Sequence, residues 1–220
     1  MDDSLYLHNY HEMSDLDRAY YRAFIRPTWD ERRQFFFEGD INLIGQMYAA
    51  EREVLFDTVL RRRPGKCFEV GTWSGGGSTY FIAAAFQKLG RGELITLEAH
   101  PQMHRLASHY YANCLSGLSK HVKFIQGSDV ALFEEFIDPS LGVECFFLDG
   151  SDTPEQTLQQ FLLFEYFSKA GTIMMAHDWN DIKQSLVRPA VESDACWKRL
   201  VLLGPPESVG LAVYEFQPDA

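Results

Sequence analysis

The sequence predicts an α/β fold: a mostly parallel sheet with helices on both faces and an antiparallel last strand. Three observations predict it. Apolar strand-like runs alternate with helix-like runs from residue 66 onward, which favours parallel pairing through right-handed crossovers. A glycine-rich turn, Gly71-Thr72-Trp73-Ser74-Gly75-Gly76-Gly77, separates the first strand from its helix. The last two strand-like runs are joined by Gly204-Pro205-Pro206-Glu207-Ser208, too short to hold a helix, so they form a hairpin and the final strand turns over.

The elements follow in order. Ser14 can cap a helix from Asp15 to about Ile25, stopped by Pro27. Residues 1–40 carry no strand pattern. A second helix is expected from Asn42 to Arg62, with Leu43, Met47, Ala50, Val54, Leu55 and Val59 near helical spacing, closed by Pro64-Gly65. Strands are then expected at Lys66–Val70, Glu93–Leu97, Val122–Ile125, Glu144–Leu148, Thr172–Ala176, Lys198–Leu203 and Val209–Phe216. Helices are expected at Thr79–Leu89, His104–Leu115, Leu132–Phe136 and Thr157–Phe167.

Composition bounds the function. The 220 residues suit one core with an accessory segment. A formal net charge of −11 argues against a nucleic-acid backbone or an anionic membrane as partner. No run is long and apolar enough to span a bilayer, and the acidic N-terminus lacks a signal-peptide pattern. Cys67, Cys114, Cys145 and Cys196 show no metal or redox spacing and read as free thiols, which suits a reducing, cytoplasmic location.

The turn identifies the ligand class. A dinucleotide fingerprint reads G-x-G-x-x-G. Here the order is Glu69-Val70-Gly71-Thr72-Trp73-Ser74-Gly75-Gly76-Gly77-Ser78. Glu69 would repel a pyrophosphate and attract a cationic ligand end. This stretch resembles the first motif of class I S-adenosylmethionine-dependent methyltransferases, and the resemblance extends over residues 66–216. It implies a Rossmann-like methyltransferase sheet over 64–220, with 1–63 as an N-terminal helical lid or dimer segment. It further implies S-adenosylmethionine as methyl donor, with Glu69, Gly71, Thr72, Trp73, Gly75, Gly77 and Ser78 around its methionine part.

Ligands of such sheets gather at the carboxyl ends of the strands. Glu98 ends the second strand of the alternation, where a carboxylate can accept from ribose hydroxyls; this logic serves NAD and S-adenosylmethionine alike. Ala99 borders the adenine, and by resemblance Ser128 and Asp129 contact its amino edge. Asp129 reads equally well as a helix cap.

Asp149 ends the fourth strand, and His177 and Asp178 end the fifth. Acidic oxygens suit magnesium or calcium, whereas a histidine shifts preference toward transition metals. The pattern is similar to the metal-dependent O-methyltransferase branches, catechol-type and macrolide-sugar- or cephamycin-type. That likeness implies a divalent metal, such as Mg²⁺, at Asp149, Asp178 and His177. The chain departs from both branches. Trp179 follows Asp178, Asn180 is one place late, and Asp152 stands where those branches carry a Lys or His base. His177 is the best candidate base, with an unperturbed pKa near ~6.5; Asp178 and Asp152 complete the catalytic set. Trp179 either walls the pocket or packs.

The expected activity is transfer of a methyl group to the hydroxyl of a small molecule, a phenol, sugar or secondary metabolite. Three alternatives stand: N-methylation of a small amine, a nicotinamide-dependent oxidoreductase on a similar sheet, and a non-catalytic binding module that keeps the fold.

Overall fold

The computed structural model describes residues 34–36, 42–44, 47–151, 153–206 and 208–218. The helix expected over Asp15–Ile25 lies outside these, as does Asp152.

Two short strands come first. β1 (Gln34–Phe36) pairs antiparallel with β2 (Asn42–Ile44), Phe35 opposite Leu43. This corrects two expectations, a strand-free segment and a helix starting at Asn42. Phe35-Phe36 and Leu43-Ile44 stand in the sequence on either side of Glu38-Gly39-Asp40, a strand–turn–strand pattern that helical spacing alone overlooks. Helix α1 begins only at Ala49 and runs to Arg62 (Ala49–Arg62), with Arg63 in the left-handed region after it.

The alternation then follows the expected order: β3 (Lys66–Val70), α2 (Ser78–Leu89), β4 (Glu93–Glu98), α3 (Pro101–Cys114), an unexpected short α4 (Ser116–Ser119), β5 (Val122–Gln126), a 3₁₀ helix (Val130–Phe136) where an ordinary helix was expected, β6 (Val143–Leu148), α5 (Pro154–Tyr166) and β7 (Ser168–His177), which starts four residues before the expected Thr172. A second 3₁₀ turn (Ile182–Gln184) and α6 (Val187–Ser193) precede β8 (Trp197–Leu203) and β9 (Leu211–Phe216).

The seven-stranded sheet has the order β5-β4-β3-β6-β7-β9-β8. The pairs β4–β5, β3–β4, β3–β6 and β6–β7 are parallel; β9 is antiparallel to both neighbours. The chain winds outward from β3 in one direction through β4 and β5, then in the other through β6 and β7. The crevice between β3 and β6 is therefore the topological switch point, where α/β sheets hold ligands.

Strand alternation sorts side chains between the two faces. Cys67, Cys145, Phe147, Ile173, Met175 and Val213 point into one core with Leu55, Phe56 and Val59 of α1 and the buried face of α2. Phe68, Phe146, Leu148, Met174, Ala176 and Tyr214 point into the other, with Phe161 and Phe164 of α5 and Val187 and Val191 of α6. Phe146 and Phe164 stack with ring centroids 4.7 Å apart. The thiols of Cys67 and Cys145, on adjacent strands, are free and 3.3 Å apart. No helix among the described residues is long and apolar enough to cross a membrane.

Candidate active site

The glycine turn sits on the switch point because its backbone is tied to the next strand. The amides of Gly71 and Thr72 both donate to the Leu97 carbonyl, at 3.0 and 3.3 Å. Gly71 has φ +98°, and a Cβ there would stand 2.7 Å from Gly150 Cα. Only glycine lets the β3 and β6 ends approach this closely. The Glu98 carboxylate braces the turn, accepting from the Trp73 amide at 2.6 Å and the His100 amide at 2.7 Å. Each oxygen keeps a further lone pair for a ligand hydroxyl.

Two cavities flank this crossing and share Gly71, Glu98 and Gly150 as walls. One, of about 540 Å³, is bounded by Leu97, Ala99, Ser128, Asp129 and, from α5, Gln156, Gln159 and Gln160. Asp129 lines this cavity and also caps the first 3₁₀ helix, accepting from the Ala131 amide at 2.9 Å. The other cavity, of about 420 Å³, is lined by Thr72, Trp73, Gly77, Ser78, Asp149, His177, Asp178 and Lys183. Gly77 and Ser78, at the N-terminus of α2, line this second cavity, and a helix N-terminus suits a carboxylate.

Two residues of the expected donor set face elsewhere. Gly75 packs against α3: a Cβ would meet Tyr111 and Ala107, and its carbonyl accepts from the Tyr111 hydroxyl at 2.9 Å. Glu69 is fully buried behind the cavity wall, accepting from Thr79 Oγ1 at 2.7 Å. Burial pushes its carboxyl up to about 7 against the lowering effect of hydrogen bonds from Ser78, Thr96 and Thr79. Glu69 lines neither cavity.

The acidic strand ends do meet. His177 has the parity of Ile173 and Met175, so its ring lies on the α1 face of the sheet. There its Nε2 lies 3.1 Å from Glu51 Oε2. Its Nδ1 stands 3.3 Å from Asp149 Oδ2 and 3.5 Å from Asp178 Oδ1, close enough for charge pairing but aligned with neither as a hydrogen bond. Lys183 closes the cluster, its Nζ 2.6 Å from Asp149 Oδ1 and 2.7 Å from Asp178 Oδ2. Asp178 takes a left-handed φ of +52°, a region Asp tolerates better than most residues.

This setting corrects the expectation of an ordinary imidazole. Burial alone would lower the His177 pKa, but Asp149 first and Glu51 next hold it well above its usual value. Burial would raise Asp149, but His177 and Lys183 hold it below the ordinary carboxylate range. Lys183 is likewise raised, Asp149 and Asp178 outweighing its burial.

Residues 68–179, just over half the chain, match the family model for a methyltransferase domain. The chain belongs to this methyltransferase family. No curated protein matches it. Among solved structures, a putative O-methyltransferase from Klebsiella pneumoniae aligns at 18% identity and TM-score 0.63, covering 82% of this chain and 83% of that one. The O-methyltransferase TomG from Streptomyces achromogenes, involved in tomaymycin synthesis and solved in complex with S-adenosylmethionine, aligns at 17% and 0.61, covering 77% and 80%. An rRNA methylase from Streptococcus thermophilus aligns at 13% and 0.57, covering 76% and 96%. The fold is thus that of class I methyltransferases, and the fold by itself does not choose the acceptor. With the family shown and β9 antiparallel, the nicotinamide reading falls.

The methyltransferase's acidic strand ends bear on a metal. Ligand atoms of Asp149, His177 and Asp178 lie within 4.8 Å of one another, a spacing a divalent ion can use. Yet the Lys183 ammonium already stands between the two carboxylates. A metal at its usual ~2.0–2.4 Å from both would collide with that cation. The residues present do not fit a resident metal.

Two residues of the cluster were not among the expected site residues. Glu51 is fully buried and collects four donors: the Tyr48 amide at 2.7 Å, His177 Nε2, Ser208 Oγ at 2.5 Å and the Val209 amide at 3.1 Å. A signal existed, because Met47, Glu51, Leu55 and Val59 are spaced by four and an acid on an apolar stripe is anomalous. Lys183 gave none, since Asp181-Ile182-Lys183-Gln184 reads as a solvated turn. Trp179 packs rather than walls the cavity: it is 1% exposed, against Tyr214.

Proposed function

We propose that this methyltransferase transfers the methyl group of S-adenosylmethionine to a hydroxyl of a small molecule. The observation that carries the reading is the cluster Asp149–His177–Asp178–Lys183 on the wall of a cavity that adjoins a second one, of about 540 Å³. The O-methyltransferase names of several structural neighbours support it. The net charge of −11 disfavours nucleic acid as acceptor.

The nucleoside lies in the cavity of Ala99, Ser128 and Asp129, with Glu98 on the ribose hydroxyls. The methionine end lies along Gly71, Thr72 and the first turn of α2, its carboxylate on the amides of Gly77 and Ser78. Glu69 acts on the ammonium only across the wall. The sulfonium then points into the acidic cavity, whose carboxylates favour a positive donor.

The acceptor hydroxyl approaches from the open side. Its proton passes to the Asp178 carboxylate, the most accessible of the cluster's carboxylates. An oxygen lone pair forms the new C–O bond, the C–S bond breaks, and its electron pair stays on sulfur. The products are a methyl ether, S-adenosylhomocysteine and a proton on Asp178. His177 is a positioning residue: its imidazolium fixes Asp149 and Asp178 and offsets their mutual repulsion. Alignment of donor and acceptor supplies most of the acceleration.

The test is in two steps. Calorimetric titration with S-adenosylhomocysteine, with NAD as control, reads the donor; no heat from the homocysteine ligand overturns the reading. Label transfer from methyl-labelled donor to panels of phenols, sugars and amines then reads the acceptor. Labelled ethers support O-methylation, and label on amines alone replaces it by N-methylation.

A further inference from the structure

We propose that Lys183 is the resident cation of this site, a protein-borne substitute for a divalent metal that also holds the acceptor oxygen. The geometry is specific. The ammonium lies between one oxygen of Asp149 and one of Asp178, at 2.6 and 2.7 Å. These carboxylates come from the ends of β6 and β7, the positions where a bridging ion would sit.

The chain is built to put the lysine there. Asp181 caps the short turn Ile182–Gln184 and accepts from the Lys183 amide at 3.2 Å. Gln184, fully buried, donates from Nε2 to the His177 carbonyl at 2.9 Å and folds the turn back over the strand end. Ile182 consequently points to solvent, 70% exposed, while the neighbouring lysine side chain is almost wholly covered.

An ammonium has three donors and no acceptor. Two are used on Asp149 and Asp178. Lys183 lines the cavity, so the third is available to an oxygen inside it. A donor of this kind favours the ionised hydroxyl over the neutral one, as a metal does, without an open coordination site. The acceptor class that gains most is a single hydroxyl of appreciable acidity, such as a phenol or enol. A vicinal diol gains less, because one N–H cannot chelate two oxygens as an ion does. The occupancy of the cation site stands on geometry alone; the contact with the acceptor rests on the O-methylation reading.

The experiment is a titration of the full chain with Mn²⁺, followed by calorimetry and by the electron-spin signal of free manganese. The proposal expects no saturable site in the wild-type chain below about 1 mM, a range characteristic of weak oxygen sites. Lys183→Ala, checked for fold by circular dichroism, vacates the space and should bind Mn²⁺ at least ~10-fold more tightly than wild type. Asp149→Asn in that background should remove the gain. Micromolar Mn²⁺ binding by the wild-type chain, lost in Asp149→Asn, overturns the proposal. A folded Lys183→Ala chain with no gain overturns it equally. The wild-type titration decides even if the alanine variant does not fold. S-adenosylhomocysteine is titrated into the same samples, so a failure of the donor reading registers separately from a failure of the cation assignment.

Discussion

Glu51 Oε2 lies 3.1 Å from His177 Nε2, joining the first turn of α1 to the last residue of β7 inside the protein. Both side chains are almost fully excluded from solvent. The same carboxylate also accepts from Ser208 and Val209, so it binds the β8–β9 connection into the site. Glu51→Gln keeps the shape and removes the charge. Breaking a buried pair from one side typically costs ~3–5 kcal/mol, so a loss of about 3 kcal/mol is expected in urea unfolding. Glu51 helps raise the His177 pKa, so the substitution should lower it. An NMR titration of the ring reads this directly, and an unmoved pKa would overturn the contribution of Glu51.

Asp178→Asn and His177→Asn probe catalysis separately from donor binding. Loss of a proton acceptor usually costs 10²–10⁴ in rate, so turnover by Asp178→Asn should fall at least ~100-fold. The His177 variant should fall less and should change the pH profile, because it acts through the two carboxylates. Affinity for S-adenosylhomocysteine should stay within about threefold in both, the signature of an interaction made only in the transition state. Unchanged turnover in both variants would remove the pair from the mechanism.

Gly71→Ala tests the close crossing of β3 and β6. The added methyl would stand 2.7 Å from backbone at Gly150, at a φ of +98°. Backbone cannot step aside as a side chain can. A stability loss of about 2 kcal/mol follows from the strained conformation. Since Gly71 walls both cavities, donor affinity should weaken at least ~10-fold by calorimetry.

Glu69 makes stability depend on pH in a set direction. Its carboxyl is raised from 4.5 to about 7 by burial. Below pH 4.5 it is protonated in both folded and unfolded chains and carries no penalty. As pH rises toward 7 the unfolded chain releases the proton while the folded one holds it, so stability falls, levelling off above 7. The shift corresponds to roughly 3 kcal/mol. Glu69→Gln should flatten this component. Urea unfolding of both chains at pH 5 and pH 8 isolates it: the variant's gain relative to wild type should be larger at pH 8.

Much of this was legible in one dimension. Lys66–Val70 was bounded correctly, and the next strand only one residue short, because each is a short apolar run closed by glycine or an acidic residue. The loop after β3 could be read from its glycines, whose spacing departs from the dinucleotide pattern. Asp149, His177 and Asp178 could be placed at one edge because consecutive parallel strands deliver their final residues to the same end of a sheet. The N-terminal hairpin escaped because two three-residue strands give too short a period to distinguish from a helix. Gly75 packs against α3 and Glu69 is buried against Thr79, because a tight turn sends adjacent residues in opposite directions, which their order in the sequence does not show.

The sequence by itself determined the alternation of strands and helices, the glycine crossing, and which acidic residues end the central strands. These follow from local periodicity and from the few residues that tolerate special backbone angles. Only the tertiary structure decided what those acids contact. Glu51 reaches His177 across 126 positions, and Lys183 reaches Asp149 across 34. No local pattern encodes such partners. Charge balance in a buried site is settled by what packing brings within ~4 Å, and there the decisive cation is a lysine from an unremarked turn.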